Sequence, residues 1–176
     1  SIQRYSSRLK RRIEQTANAY YANRVACIGL NYWLRLRAVY VYHAWGQRIE
    51  YDEGTGAMTY ERGNIHKPNW NTSVSSGFDL PLDKARRWTL SVDDHVNYHH
   101  SVDFDIAYGH APGALSTVRT TEAGTGIKLQ YALGALRAGV SGKVDGRWAR
   151  SHRAGFSNIN TADYQYGATL QYTVPG

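Results

Sequence analysis

Apolar and polar residues alternate along most of this chain with a period of two. From Trp88 to Ile106 the even positions are Trp88, Leu90, Val92, Asp94, Val96, Tyr98, His100, Val102, Phe104 and Ile106, and eight of these ten are apolar. The odd positions from Arg87 to Asp105 are all polar. Successive side chains of a strand point to opposite faces, so this segment is a strand with one apolar and one polar face. The pattern recurs. Tyr164, Tyr166, Ala168, Leu170, Tyr172 and Val174 alternate with polar residues or glycine, and so do Ala138, Val140, Val144 and Trp148. Leu30, Tyr32, Leu34 and Leu36 face away from Arg35 and Arg37; Trp70, Val74, Phe78 and Leu80 face away from Asn71 and Ser73. Leu129, Tyr131 and Leu133 repeat the pattern, and Tyr5, Leu9, Ile13 and Ala17 do so more weakly against Arg4, Arg8, Lys10 and Arg12.

These runs predict about seven strands, near 3–18, 24–50, 58–80, 86–107, 115–133, 136–152 and 160–174. Several exceed the roughly 5–6 residues of an ordinary globular strand. Long amphipathic strands suit an outer-membrane barrel, which needs about 9–11 residues per strand to cross a bilayer. The connections also alternate. Leu80–Arg86 and Leu133–Leu136 are short, whereas Ala107–Ser116 and Ser151–Thr161 are longer and polar. That asymmetry fits periplasmic turns and extracellular loops. Trp70, Trp88, Tyr98, Trp148 and Tyr172 fall near strand ends, where aromatic girdles of barrels lie. The expected fold is therefore all-β: antiparallel up-and-down transmembrane β-barrel strands in a single region spanning 1–176.

Composition narrows this further. The 176 residues hold 14 Tyr, 5 Trp and 17 Gly but one Met, a mix that favours strands. Cys27 is the sole cysteine, which excludes an internal disulfide and a cysteine zinc cluster. No apolar run is long enough for a transmembrane helix. The net charge of +7 is concentrated at the start: residues 1–48 carry nine basic residues against one acid, Glu14. Such a basic quarter with Tyr20, Tyr21 and Trp33 raises a nucleic-acid-binding sheet as one alternative. A soluble all-β ligand-binding module is another.

Several stretches carry a family resemblance. They are Tyr51-Asp52-Glu53-Gly54-Thr55-Gly56 at a hairpin tip, Asn64-Ile65, Asn69-Trp70-Asn71 and Gly77-Phe78-Asp79-Leu80-Pro81-Leu82-Asp83-Lys84. Trp88-Thr89-Leu90-Ser91, Val96-Asn97-Tyr98-His99-His100-Ser101-Val102 and Ala162-Asp163-Tyr164-Gln165-Tyr166-Gly167-Ala168 follow, ending in Tyr172-Thr173-Val174-Pro175. In order and spacing, residues 40–176 resemble the C-terminal barrel region of TonB-dependent-receptor-like outer-membrane proteins of the Bacteroidota type. The resemblance implies nutrient uptake through a many-stranded barrel, with a luminal plug and an energising inner-membrane complex as partner. This sequence shows no plug, energy-coupling box, signal peptide or terminal aromatic strand end. Seven strands is an odd number, and an open edge is not tolerated in lipid. The expectation is thus an incomplete barrel, partnered by outer-membrane lipid and by the remaining strands of a larger barrel, with no nucleic acid and no cofactor.

The chemistry expected is that of a lining, not of a catalyst. Arg35, Arg37, Asp93, His95, Asn97, His99, Lys143 and Arg147 are candidates for lining a lumen, and Arg8, Lys10, Arg12, Arg35, Arg37, Lys143 and Arg147 on the polar face would make it locally cationic and favour anionic solutes. His95 and His99 share a strand face but stand about 13 Å apart, too far for one metal without neighbouring strands. Asp93 and Asp103 fail as a carboxylate pair for the same reason. No Gly-x-Ser-x-Gly elbow is present, and Gly124-Thr125-Gly126 lacks the glycine fingerprint of a nucleotide site. No enzyme is expected.

Overall fold

The computed structural model describes residues 2–4, 9–52, 54–105, 114–153 and 155–173. Ten strands make up two sheets: β1 (Ile2–Arg4), β2 (Ile13–Val25), β3 (Leu30–Tyr42), β4 (Trp45–Tyr51), β5 (Met58–Asn64), β6 (Asn69–Pro81), β7 (Trp88–Phe104), β8 (Leu115–Leu133), β9 (Leu136–Ser151) and β10 (Ile159–Tyr172). The large sheet has seven strands in the order β10-β9-β8-β7-β6-β3-β2, every pairing antiparallel. The small one has the order β1-β5-β4. The chain is all-β. It is a meander of neighbours, interrupted once where β4 and β5 leave the large sheet between β3 and β6.

Three of the expected strands need correction. The run expected over 3–18 includes residues 5–8, which lie outside the described residues; beyond them the long strand begins at Ile13 and continues to Val25. The run expected over 24–50 holds a turn at 26–29 and a break at His43–Ala44. The run expected over 58–80 breaks between Asn64 and Asn69. The breaks have a shared cause. His43 takes a left-handed backbone, φ +51°, which no strand residue can hold. The Asn64 side-chain amide then donates to His43 O at 2.9 Å and to Lys10 O at 3.0 Å, while Ile65 N donates to Ala44 O at 2.8 Å. The expected long loop at 107–113 and the residues Val174 and Pro175 lie outside the described residues. The last four expected strands otherwise stand within three residues of their expected bounds.

Turn lengths sort to the two ends of the large sheet. The 26–29, 82–87 and 134–135 connections share one end. Gly134 takes φ +56°, the conformation that the first position of a two-residue type II′ turn requires. Asp83 closes the 82–87 turn by accepting from Trp88 N at 2.8 Å through its carboxylate. The opposite end carries the small sheet and the connections after β7 and β9. Cys27 sits exposed in the 26–29 turn rather than in a strand.

Among the described residues few side chains are buried, and besides Ala149 of β9 the buried apolar ones cluster where the small sheet docks. Ala44, Ile65 and Val102 form the cluster, with Val41, Phe104 and Leu115 packed against it. The Phe104 ring lies close over the directly paired Gly46 and Gly63, where a Cβ would stand 2.7 Å and 3.1 Å from ring atoms. Side chains larger than hydrogen there would push β4 and β5 off β7. The β4–β5 hairpin is closed by Asp52, whose carboxylate accepts from Gly54 N at 2.9 Å and Thr55 N at 3.3 Å. The Thr55 hydroxyl and these backbone donors hold Asp52 below the usual carboxylate range.

Ile65→Ala should cost about 2–4 kcal/mol in this cluster. Amide exchange should then accelerate over 45–51 and 58–64 and leave β8–β9 protected. Asp52 favours the folded turn in its ionised form, so that contribution is full above about pH 4 and lost as pH falls through the depressed folded value. Exchange at Gly54 and Thr55 should accelerate there, and Asp52→Ala should abolish the pH step.

Candidate functional site: two faces of one sheet

Cross-strand register places the expected lining residues together. One row of direct partners runs Asn18, Arg37, Ser73, Asn97, Glu122, Arg147, Thr161. The next runs Tyr20, Arg35, Ser75, His95, Gly124, Asp145, Asp163. A third contains Trp33, Gly77, Asp93, Gly126 and Lys143. His99 lies in a fourth, between Asn71 and Thr120. Arg35, Arg37, Asp93, His95, Asn97, His99, Lys143 and Arg147 therefore share one face and occupy four adjacent rows. A groove of about 660 Å³ crosses this face, bordered by Arg12, Arg37, Asn97, His99, Glu122 and Arg147.

The face is less cationic than the arginines and lysine alone suggest. Arg147 Nε lies 3.3 Å from Glu122, Arg12 lies 2.7 Å from Glu14, and Lys143 Nζ lies 2.8 Å from Asp145. Asp145 also stands 3.5 Å from His95 Nε2. Arg35 lies over the Tyr20 ring, 5.8 Å from its centroid. Among the described residues Arg37 has no carboxylate partner. Glu122 and Asp145 were not singled out in the sequence, because their pairing is set by register between strands. Gly124 is the other residue that period alone misses. It separates His95 from Asp145 in the row, and a Cβ there would collide with both side chains and with Val144 O. Its missing side chain lets the two groups meet across a whole strand.

No group of three or more His, Cys, Asp or Glu among the described residues could hold a metal ion.

The opposite face is apolar and uncovered. Its rows include Leu36, Val74, Val96 and Ala123; Tyr32, Phe78, Val92 and Ile127; and Leu30, Leu80, Leu90, Leu129 and Val140. Val96 is 48% exposed, Val140 56% and Leu170 77%, so no layer of this chain covers them. Aromatic groups sit toward both ends of this band. Trp88 and Tyr131 pair at the short-turn end, ring centroids 4.8 Å apart. Trp70 and Tyr98 pair at the other end at 4.9 Å, with Trp148 in the same row as Tyr98. One row interrupts the band with polar groups: Ser76, Asp94 and Thr125, of which Asp94 is charged and exposed.

No helix among the described residues is long and apolar enough to cross a membrane, which says nothing of strands. No protein-family model, curated relative or solved structure matches the chain.

Gly124→Ala should drive His95 and Asp145 apart and cost about 1–3 kcal/mol of stability. Gly126→Ala, two residues along and with nothing closer than 3.9 Å to the new Cβ, should cost less. Parallel urea titrations of the two variants check the contrast.

Proposed function

We propose that the seven-stranded sheet is part of an outer-membrane β-barrel of TonB-dependent-receptor type. Its apolar face meets lipid, and its polar face lines a wet lumen that serves solute uptake. The observation that carries this reading is the uncovered apolar band between two aromatic groups. Ten residues separate Trp88 from Tyr98, about 33 Å along a strand. At the 35–45° tilt usual in barrels this spans about 25 Å of bilayer, the height of the apolar band of such proteins. Monomeric soluble proteins seldom leave an apolar surface of several strands bare.

The topology sets a further condition. Six antiparallel pairings link the seven strands, so the edge strands β2 and β10 run in the same direction. They cannot close on one another as an antiparallel pair. An odd number of further strands must lie between them, and both edges need partners because unpaired backbone groups are not tolerated in hydrocarbon. A plug and an energising complex belong to the complete receptor.

Asp94 favours the alternative, a soluble all-β binding module whose apolar face is covered by another layer. A carboxylate within the lipid-facing band carries a cost that a protein interface rim does not.

The test is circular dichroism and sizing of the chain in plain buffer and in zwitterionic micelles. Micelle-dependent β-structure supports the barrel, and a compact monomer in buffer overturns it. Val96→Lys should weaken partition into micelles by about 2–4 kcal/mol if Val96 lies near the bilayer midplane. Asp94→Asn should strengthen it. Neither shift is expected of a soluble module in buffer.

A further inference from the structure

The polar face of the large sheet neutralises some of its cations, though Arg37 there has no carboxylate partner among the described residues. On the polar face Arg12, Lys143 and Arg147 each have a carboxylate within 3.3 Å. On the apolar face Arg119 of β8 and Arg150 of β9 are direct cross-strand partners, with His100 of β7 next in the row. Like charges directly opposite each other in a sheet repel and destabilise the pairing. Both arginines are exposed, and among the described residues neither has a carboxylate partner. Asp105, at the same end of the sheet, is already engaged by Arg153 at 3.4 Å.

A groove of about 760 Å³ opens over this pair. Arg119, Arg150 and His152 border it, Thr117, Ser151 and Asn158 add polar groups, and Tyr98 and Trp148 form its apolar floor. Among the described residues no carboxylate lines it. The next rows toward the sheet centre are Tyr98, Thr121, Trp148 and then Val96, Ala123. The site is thus two guanidinium forks above an aromatic step that leads onto the apolar band.

We infer that this groove binds the phosphate group of an anionic membrane amphiphile, with Arg119 and Arg150 gripping the phosphate and the acyl chains lying along Val96 and its neighbours. Paired guanidinium groups match phosphate geometry bidentately. A bound dianion or monoanion cancels the repulsion that the register imposes. Aromatic residues at the headgroup level and apolar residues below it complement a lipid rather than a free ion. This inference rests on the reading of the apolar face as lipid-facing, and it adds a specific lipid contact at the long-connection end.

The experiment uses the whole chain in zwitterionic micelles, titrated with fluorescently labelled phosphatidylglycerol. Saturable binding near one lipid per chain is expected. Arg119→Gln combined with Arg150→Gln should weaken it at least tenfold, and the corresponding double lysine variant should retain part of it. Arg35→Gln with Arg37→Gln, on the other face, should leave it unchanged, and circular dichroism should show the same β-content throughout. Inorganic phosphate should compete poorly. Entry into micelles without a loss on removing Arg119 and Arg150 overturns the site alone. Equal loss from the Arg35 and Arg37 variant overturns its specificity, and displacement by inorganic phosphate at matching concentration overturns the lipid as ligand. A chain that stays out of micelles overturns both the site and the lipid-facing reading.

Discussion

Cross-strand register is the constraint on which this structure depends. Long antiparallel strands commit every side chain to one of two faces, and a slip by one residue would exchange the faces wholesale. Along β7 the consequence is plain: moving its pairing with β8 by one position would set Val96 opposite Glu122 in one direction, or Val92 opposite Lys128 in the other. The apolar and polar sets are therefore locked to each other through the backbone ladder. Side-chain burial contributes little, since the described residues contain only a small apolar cluster around Ala44, Ile65 and Val102. The large sheet is held together by its own hydrogen bonds, and its apolar side is left open by the described residues.

Edges and faces make the same demand. Side chains along β2 and β10 are exposed from end to end. An exposed edge is a template for another strand, and soluble proteins blunt such edges with charge, proline or bulges. β10 carries Asp163 as its one charged residue and presents Tyr164, Tyr166, Leu170 and Tyr172 on one side. Tyr166 is 94% exposed. Such an edge carries little of the charge, proline or bulging that soluble proteins place there, which agrees with the barrel proposed above. The same holds for the uncovered face, and a closed barrel in lipid meets both demands at once.

How much of this was legible in the sequence follows from the range of each interaction. The alternation from Trp88 to Phe104 is local, so strand β7 and its two faces could be read directly, as could β8 to β10. The break after Tyr42 was not legible, because it depends on Asn64 reaching back to His43 and Lys10. The β2 strand was displaced toward the N-terminus because its centre, Thr16-Ala17-Asn18-Ala19-Tyr20-Tyr21-Ala22, alternates weakly and the basic residues before it mimic a polar face. That Arg35, Arg37, Asp93, His95, Asn97, His99, Lys143 and Arg147 share one face was legible, for parity needs no partner. Their neutralisation by Glu122 and Asp145, and the role of Gly124 between His95 and Asp145, required the pairing of β7 with β8 and β8 with β9.

The same reasoning explains why the two arginines on the apolar face carry more information than the larger number on the polar one. A polar face tolerates charge of either sign, since water and neighbouring carboxylates screen it. Arg119 and Arg150 stand beyond the row that holds Tyr98 and Trp148, on a face that carries Val74, Val96 and Ala123 in the next row, and they are held directly opposite one another. An arrangement with that electrostatic cost is stable when an anion sits between the forks, and the anion must tolerate an apolar neighbour. The lone carboxylate of this face, Asp94, lies three rows closer to the centre and on β7, too far along the strand to serve as that partner, at about 3.3 Å of rise per residue.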